Sequence, residues 1–107
     1  MLYLMLDQNK TKNFAKVGFT TARSRVNQST RWGHYQTHNP SAIVRSTCAG
    51  MRPQENQCHK ILYGLGQKVK GSEWVEVSDE LFQELYQKGM GYFYPNHSPI
   101  HFIQEFE

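Results

Sequence analysis

The opening of the chain contains two short apolar runs that a polar segment separates. The runs are residues 2–7 and 14–20, and the segment between them, residues 8–13, is polar throughout. Such a pair predicts two antiparallel strands joined by a loose loop. A third strand is predicted over residues 42–48, and a shorter one over residues 73–77, where apolar and polar side chains alternate.

Two helices are predicted around the third strand. The first runs from Ala22 to about Arg31, and Thr20 or Thr21 is expected to cap it. The second begins near Pro53, since proline suits the first turn of a helix. Its apolar side chains recur at i, i+3, i+4 and i+7, which predicts one buried stripe: Cys58, Ile61, Leu62 and Leu65.

A third helix and an aromatic tail are predicted at the end of the chain. The helix follows the capping residue Ser78 and ends at Gly89, with three core-facing side chains: Leu81, Phe82 and Leu85. The tail is aromatic and irregular, so we expect it to form an added edge strand, a dimer contact or a lid. This pattern divides the chain into a domain of residues 1–88 and a C-terminal extension of residues 89–107.

The composition is that of one small globular domain. The chain has 107 residues, of which 38% are hydrophobic, with 6 Tyr, 6 Phe and 2 Trp. No apolar run approaches the roughly 20 residues of a membrane span, and the first residues lack the basic region and cleavage site of a signal peptide. We therefore expect an intracellular, cytoplasmic protein without membrane association. Cys48 and Cys58 fit neither a disulfide framework nor a metal motif, so we expect reduced thiols.

Basic residues are concentrated in the first half of the chain. Between Gln8 and Gln54 there is no Asp or Glu, whereas eight basic residues lie there: Lys10, Lys12, Lys16, Arg23, Arg25, Arg31, Arg45 and Arg52. From Glu55 onward eight acids face only four lysines. This separation of charge indicates an electropositive surface that binds a polyanion such as nucleic acid. A solvated basic face without a partner is the alternative.

Glu55 is the first acid after this gap, and it lies in the first turn of the second predicted helix. It precedes Cys58 by three residues and Leu62 by seven, so its side chain shares the inward-facing stripe. A carboxylate there is either a residue that the helix dipole favours or a ligand directed into a cleft. His59 lies on the same side and is placed to orient Glu55 or to contact the same ligand; a simply packed histidine is the alternative.

Several segments, taken in order, resemble the GIY-YIG nuclease superfamily. Leu2-Tyr3-Leu4 and Lys16-Val17-Gly18-Phe19-Thr20 look like its two opening motifs, in the form of the phage and fungal subgroup whose second motif reads Lys-Ile-Gly-x-Thr. The similarity covers roughly residues 2–88. It continues through Arg25-Val26, the turn of residues 35–40, Glu55-x-x-x-His59 and Glu73-Trp74-Val75.

The resemblance implies an α+β fold with a small three-stranded antiparallel sheet flanked by helices. It also implies a metal-dependent endonuclease that hydrolyses DNA phosphodiester bonds, with one ion, Mg²⁺ or Mn²⁺, on Glu55. Tyr3 would deprotonate or position the attacking water, and Arg25 would neutralise the charge that grows on the phosphate. Gly18 would let the backbone approach the substrate closely.

Two positions depart from the pattern of the family. Lys16 replaces the second tyrosine, and its charge beside Tyr3 is expected to lower the pKa of that phenol. The helix arginine comes one residue earlier than the usual spacing, so Arg23 is an alternative to Arg25. With His59, the candidate catalytic residues are thus Tyr3, Lys16 and Arg25.

The segment after the first predicted helix offers a further contact for nucleic acid. Trp32, His34 and Tyr35 beside Arg31 are expected to stack on an unpaired base, with simple cover of the helix end as the alternative. A zinc site is a weaker alternative, because no paired cysteines accompany the histidines. Its ligands would be His34 and His38 with His59, Cys58 or His97.

Three classes of function follow from these features. The first is a nuclease that acts on DNA, alone or as the cutting module of a larger assembly. The second is a catalytically inactive relative that binds nucleic acid through the basic half. The third is a small phage-type accessory protein that binds and inhibits another protein through its acidic half or its tail. The tail is also the expected contact of a homodimer.

Overall fold

The computed structural model describes residues 1–9, 11–21, 42–95 and 100–103. Within these ranges the chain is an α+β protein with one six-stranded antiparallel sheet and two α-helices. The strands are β1 Leu2–Asn9, β2 Lys12–Phe19, β3 Ala42–Cys48, β4 Gln67–Lys68, β5 Val75–Val77 and β6 Ile100–Phe102. The helices are α1 Arg52–Leu65 and α2 Asp79–Lys88, and a 3₁₀ helix, Gly89–Tyr92, follows α2.

The sheet has the strand order β4-β5-β2-β1-β3-β6, and every pair of neighbours is antiparallel. The three-stranded sheet that the resemblance implies is therefore wrong in its number of strands, because the described residues form six. The three long strands at the centre, β2, β1 and β3, are those predicted, and β5 lies within the short strand predicted over residues 73–77. Strands β4 and β5 extend the sheet at one end, and β6 extends it at the other. These outer strands have only two or three residues each, which is too short for a residue pattern to establish a sheet position.

The tail takes part in the sheet through β6. Residues Ser46, Thr47 and Cys48 of β3 pair with Phe102, His101 and Ile100. The backbone amide of Ile103 then donates to the carbonyl of Arg45. Of the three roles expected for the tail, the added edge strand is the one that the described residues show.

The two faces of the sheet have separate hydrophobic clusters because side chains alternate along each strand. Leu2, Leu4 and Leu6 of β1 point to the face that the helices cover, and they form the main core. Tyr3 and Met5 point to the opposite face, where the half-buried Trp74 packs against them. The opening strand is thus buried on both faces, which explains its continuous run of apolar residues.

The buried surface of helix α1 is narrower than the sequence predicts. Cys58 and Leu62 are completely buried, but Ile61 is 42% exposed and Leu65 is 49% exposed. Each residue advances a helix by about 100°, so Ile61 lies about 60° from Cys58, on the side away from Leu62. Leu65 lies only about 20° from Cys58, but it is the last residue of α1. The predicted stripe is therefore wrong at these two positions, one on the flank of α1 and one at its end.

Helix α2 follows the predicted signals closely. The Ser78 hydroxyl accepts from the backbone amide of Leu81, as an N-cap should. Gly89 ends the helix with φ of 56°, a left-handed conformation that favours glycine. Leu81, Phe82 and Leu85 are buried as predicted. Neither α1 nor α2 has the length and the apolar character that crossing a membrane requires.

Cys58 makes the stability of the fold sensitive to alkaline pH. Burial raises the pKa of its thiol from 9.0 to about 11, while the thiol of the unfolded chain still ionises near its ordinary value. The unfolded state therefore loses its proton first, and stability must fall as pH rises between these two values. We expect a loss of about 2 kcal/mol, measured by urea unfolding between pH 8 and pH 11.

The control for this prediction is Cys58→Ala. The quantity to compare is the change of the free energy of unfolding with pH, and not its value at one pH. The variant should unfold more easily at every pH because a cavity forms, but its stability should fall less steeply above pH 9. Burial also raises the pKa of Tyr94, whose hydroxyl contacts the Cys58 sulfur at 3.7 Å. Equal pH slopes for the two proteins would contradict the prediction.

Candidate metal centre

The candidate site lies where helix α1 crosses the end of strand β2. Strand β5 pairs with β2 only at Asn13, Phe14 and Ala15. Beyond Ala15, helix α1 lies beside β2, and the His59 ring nitrogen Nε2 lies 2.7 Å from the carbonyl oxygen of Val17. Because a carbonyl oxygen only accepts, this contact assigns a proton to Nε2. His59 is therefore attached to the sheet by its side chain.

Glu55 is a buried carboxylate in the first turn of α1. Only 6% of its surface is exposed. Two basic side chains lie at ion-pair distance, with Arg52 Nη1 at 3.6 Å from Oε1 and His59 Nε2 at 3.8 Å from Oε2. Across the described ranges, no hydrogen bond ends on this carboxylate. A buried carboxylate that accepts no hydrogen bond is costly, so the geometry favours a further cation at Glu55.

Glu73 brings a second carboxylate to the same place. It lies just before β5, and the pairing of Ala15 with Val75 sets it beside β2. Glu55, His59 and Glu73 each offer one ligand atom, and these atoms all lie within 4.8 Å of one another. The group can hold one metal ion. Glu73 was not predicted as a ligand, because only the register of β5 on β2 reveals its position.

The donor atoms favour a hard cation. Since Nε2 of His59 is occupied by the Val17 carbonyl, the oxygens of Glu55 and Glu73 are the groups directly available to an ion. Mg²⁺ and Mn²⁺ prefer oxygen ligands. His59 also stacks on Tyr63, with ring centroids 5.4 Å apart and an angle of 17° between the planes. Its ring is thus held from two sides.

Tyr63 senses the negative charge of this group. Burial is the main cause that raises the pKa of its phenol, and the charges of Glu73 and Glu55 add to it. The Lys68 ammonium lies over the Tyr63 ring, with Nζ 5.7 Å from the ring centre. The charges of both carboxylates thus reach the Tyr63 phenol.

Tyr3 and Gly18 face each other on β1 and β2. A Cβ atom added to Gly18 would lie 2.3 Å from both Cζ and the hydroxyl oxygen of Tyr3, which is far closer than atoms can approach. The missing side chain of Gly18 therefore makes room for the Tyr3 phenol. The resemblance implies that Gly18 admits the substrate, but the ring of Tyr3 occupies the space over this glycine.

Lys16 connects the Tyr3 face of the sheet with the metal group. It pairs with Met5, so it lies diagonally from Tyr3 on the same face of the two strands. Its Nζ lies 3.8 Å from Oε1 of Glu73. Lys16 thus reaches Glu73 from the face of the sheet that carries Tyr3, whereas His59 contacts the backbone of β2 from α1.

The other predicted site residues lie outside the residues that the structure describes. They are Arg23, Arg25, Arg31, Trp32, His34 and Tyr35. The phosphate clamp and the stacking patch therefore stay predictions. The same holds for His34, His38 and His97 of the alternative zinc site. Cys58, another of its candidate ligands, lies completely buried in the main core.

The charge separation along the sequence is partly offset in space. Lys12 pairs with Glu76 at 3.9 Å, Lys16 with Glu73, and Arg52 with Glu55. Arg45 has a structural role, because its guanidinium lies 3.9 Å from the centre of the Tyr86 ring and its Nε donates to the Tyr86 carbonyl. Three of the four basic residues of the first half that the structure describes thus meet acids of the second half.

Comparisons of the chain with protein-family models, with curated proteins and with solved structures found no match. What the described residues establish is a small α+β fold with a Glu-His-Glu group that could hold one metal ion, beside the end of β2.

Proposed function

We propose that the chain is a metal-dependent nuclease of the GIY-YIG kind that hydrolyses phosphodiester bonds of DNA. The observation that carries the proposal is the buried Glu55 carboxylate, which accepts no hydrogen bond within the described residues and lies near the Glu73 carboxylate. Of the other residues that the resemblance selects, Lys16 lies at ion-pair distance from Glu73. Tyr3 lies on the face of the sheet opposite the helices, the same face as Lys16.

Each of these residues has a distinct part in the proposed reaction. Phosphodiester hydrolysis needs a deprotonated water and compensation of the charge that grows on the phosphate. Tyr3, fixed over Gly18, would take or relay the proton, and Lys16 would favour its phenolate by charge. Glu55 and Glu73 would hold Mg²⁺ or Mn²⁺, which supplies positive charge to the phosphate. Arg25 or Arg23 would add a guanidinium.

The proposal is tested by incubating supercoiled plasmid with the protein in Mg²⁺, in Mn²⁺ and in EDTA. Nicking should require the ion and should stop in EDTA. Absence of nicking under all ion conditions, from a protein that is folded by circular dichroism, would contradict the nuclease assignment. In that case the affinity for DNA separates the remaining classes of function.

Binding of DNA should weaken steeply as salt increases, because basic side chains release counterions from the phosphates. This result without nicking would indicate an inactive nucleic-acid-binding relative. Absence of DNA binding would indicate the third class, a protein that acts on another protein. The measurement is a fluorescence-anisotropy titration with labelled duplex DNA at several salt concentrations.

Tyr3→Phe should lower the rate of nicking by about a hundredfold, which is typical of losing a group that transfers a proton. The ring, and hence the packing on Gly18, would remain. Tyr92→Phe is the matched control, since Tyr92 packs against Phe93 away from the site, and its rate should stay unchanged. Equal rates for Tyr3→Phe and the wild-type protein would remove Tyr3 from the reaction.

A further inference from the structure

Each carboxylate of the candidate metal centre has one arginine or lysine side chain at ion-pair distance, in addition to His59 beside Glu55. Arg52 lies 3.6 Å from Glu55, and its side chain is 75% exposed. Lys16 lies 3.8 Å from Glu73, but its side chain is only 14% exposed. The two basic residues therefore differ in kind. Arg52 is a solvated surface residue, whereas Lys16 is largely withdrawn from water and held beside the centre.

We propose that Glu73 is a ligand of the ion and that binding of the ion displaces the Lys16 ammonium from Glu73. This inference rests on the metal centre of the proposed function and adds a response of the site to its ion. Ligand atoms within 4.8 Å of one another can surround a single cation at the distances of about 2.0–2.6 Å typical of hard ions.

Competition between the two cations follows from electrostatics. A divalent ion on Glu73 neutralises the charge that attracts Lys16, and it repels the ammonium at short range. Glu73 can respond to the ion, because its side chain is about half exposed. The displaced ammonium remains on the face of the sheet that carries Tyr3. The ion would thus make Lys16 available to a phosphate only when the centre is complete.

The chain contains a closely matched pair for comparison. Lys12 and Glu76 lie on the same two strands, β2 and β5, at a distance of 3.9 Å. The pair resembles that of Lys16 and Glu73 in distance, but its lysine is 61% exposed. Glu76 does not belong to the group of potential metal ligands. Changes at Lys12 or Glu76 therefore alter charge near the sheet without altering the centre.

The test is a direct titration with metal alone, in the absence of nucleic acid. Terbium luminescence, excited through Trp74 next to Glu73, measures binding of a hard ion, and electron paramagnetic resonance measures free Mn²⁺. Glu73→Gln should weaken binding about tenfold, within the range for residues that support a metal site. Lys16→Gln should strengthen binding about threefold, which corresponds to removing a competing ion pair. Lys12→Gln and Glu76→Gln should change neither affinity.

The decisive measurement is the double variant. If Lys16 acts on the ion through Glu73, then Lys16→Gln should no longer strengthen binding once Glu73→Gln is present. An unchanged affinity of Glu73→Gln for the ion would overturn the proposal. It would also be overturned if Lys16→Gln weakened binding of the ion as much as Glu73→Gln does. Circular dichroism checks folding, and Glu73→Asp, which keeps the charge, should bind more tightly than Glu73→Gln.

The outcome is separable from that of the proposed function. A protein that binds the ion as described but does not nick DNA retains this inference and loses the nuclease assignment. A protein that nicks DNA and binds the ion through Glu55 alone retains the nuclease assignment and loses the inference.

Discussion

Glu55→Gln is expected to reduce nicking to the background that is seen with EDTA. Loss of its charged oxygens should also weaken binding of Mn²⁺ by about a hundredfold, the upper end of the range for residues that support a metal site. At the same time the ion-free protein should become no less stable, and we expect a gain of up to about 1 kcal/mol. The reason is that a neutral amide is less costly than a buried carboxylate without a hydrogen bond.

This opposite effect on function and stability separates a metal ligand from a structural residue. The matched control is Glu84→Gln on α2, where Glu84 is exposed and pairs with Lys88 at 3.3 Å. The control should nick at the wild-type rate. Nicking that persists in Glu55→Gln would remove Glu55 from the metal role. A marked loss of stability in the same variant would show that the fold depends on the carboxylate itself.

Gly18→Ala should combine a loss of stability with a loss of activity. The new methyl group would overlap Cζ and the hydroxyl of Tyr3, and such overpacking typically costs about 1–3 kcal/mol. Because the ring must leave its place on β2, nicking should fall at least as far as in Tyr3→Phe. Urea unfolding and the plasmid assay measure the two effects.

Gly64→Ala provides the contrasting glycine. Gly64 lies inside α1, and a Cβ atom there would have no atom within 4 Å. Alanine is the better helix former, so this variant should gain about 0.5–1 kcal/mol and nick normally. Adding Tyr3→Ala to Gly18→Ala should remove the clash, and the two stability losses should then fall short of their sum. Full additivity would contradict the contact between Gly18 and Tyr3.

The parts of the fold that the sequence predicts are those with strong local signals. Long apolar runs identify β1, β2 and β3, and the cap at Ser78 with the stop at Gly89 places α2. Alternation also indicates β5, but β4 and β6 carry no such signal, because their positions depend on pairing with β5 and β3. The exposure of Ile61 and Leu65 likewise depends on how α1 lies on the sheet, which periodicity alone does not determine.

The candidate site shows the same division. The position of Glu55 after a long stretch without acids, together with its apolar neighbours Cys58 and Leu62, predicts an inward-facing carboxylate, and Glu55 is indeed buried. The sequence also predicts His59 on the same side of the helix. It does not predict the contact of His59 with the Val17 carbonyl or the approach of Glu73. Both require the register of the strands and the place where β5 leaves β2.

The two carboxylates belong to different parts of the fold, and this has a thermodynamic consequence. Glu55 lies in α1, and Glu73 lies in the connection between the paired strands β4 and β5. An ion that both bind would cross-link the helix to the sheet, so its binding free energy would add to the free energy of unfolding. At a hundred times the dissociation constant this amounts to about 2.7 kcal/mol. The concentration of ion in solution would then govern the folded fraction of the chain as well as the charge of its centre.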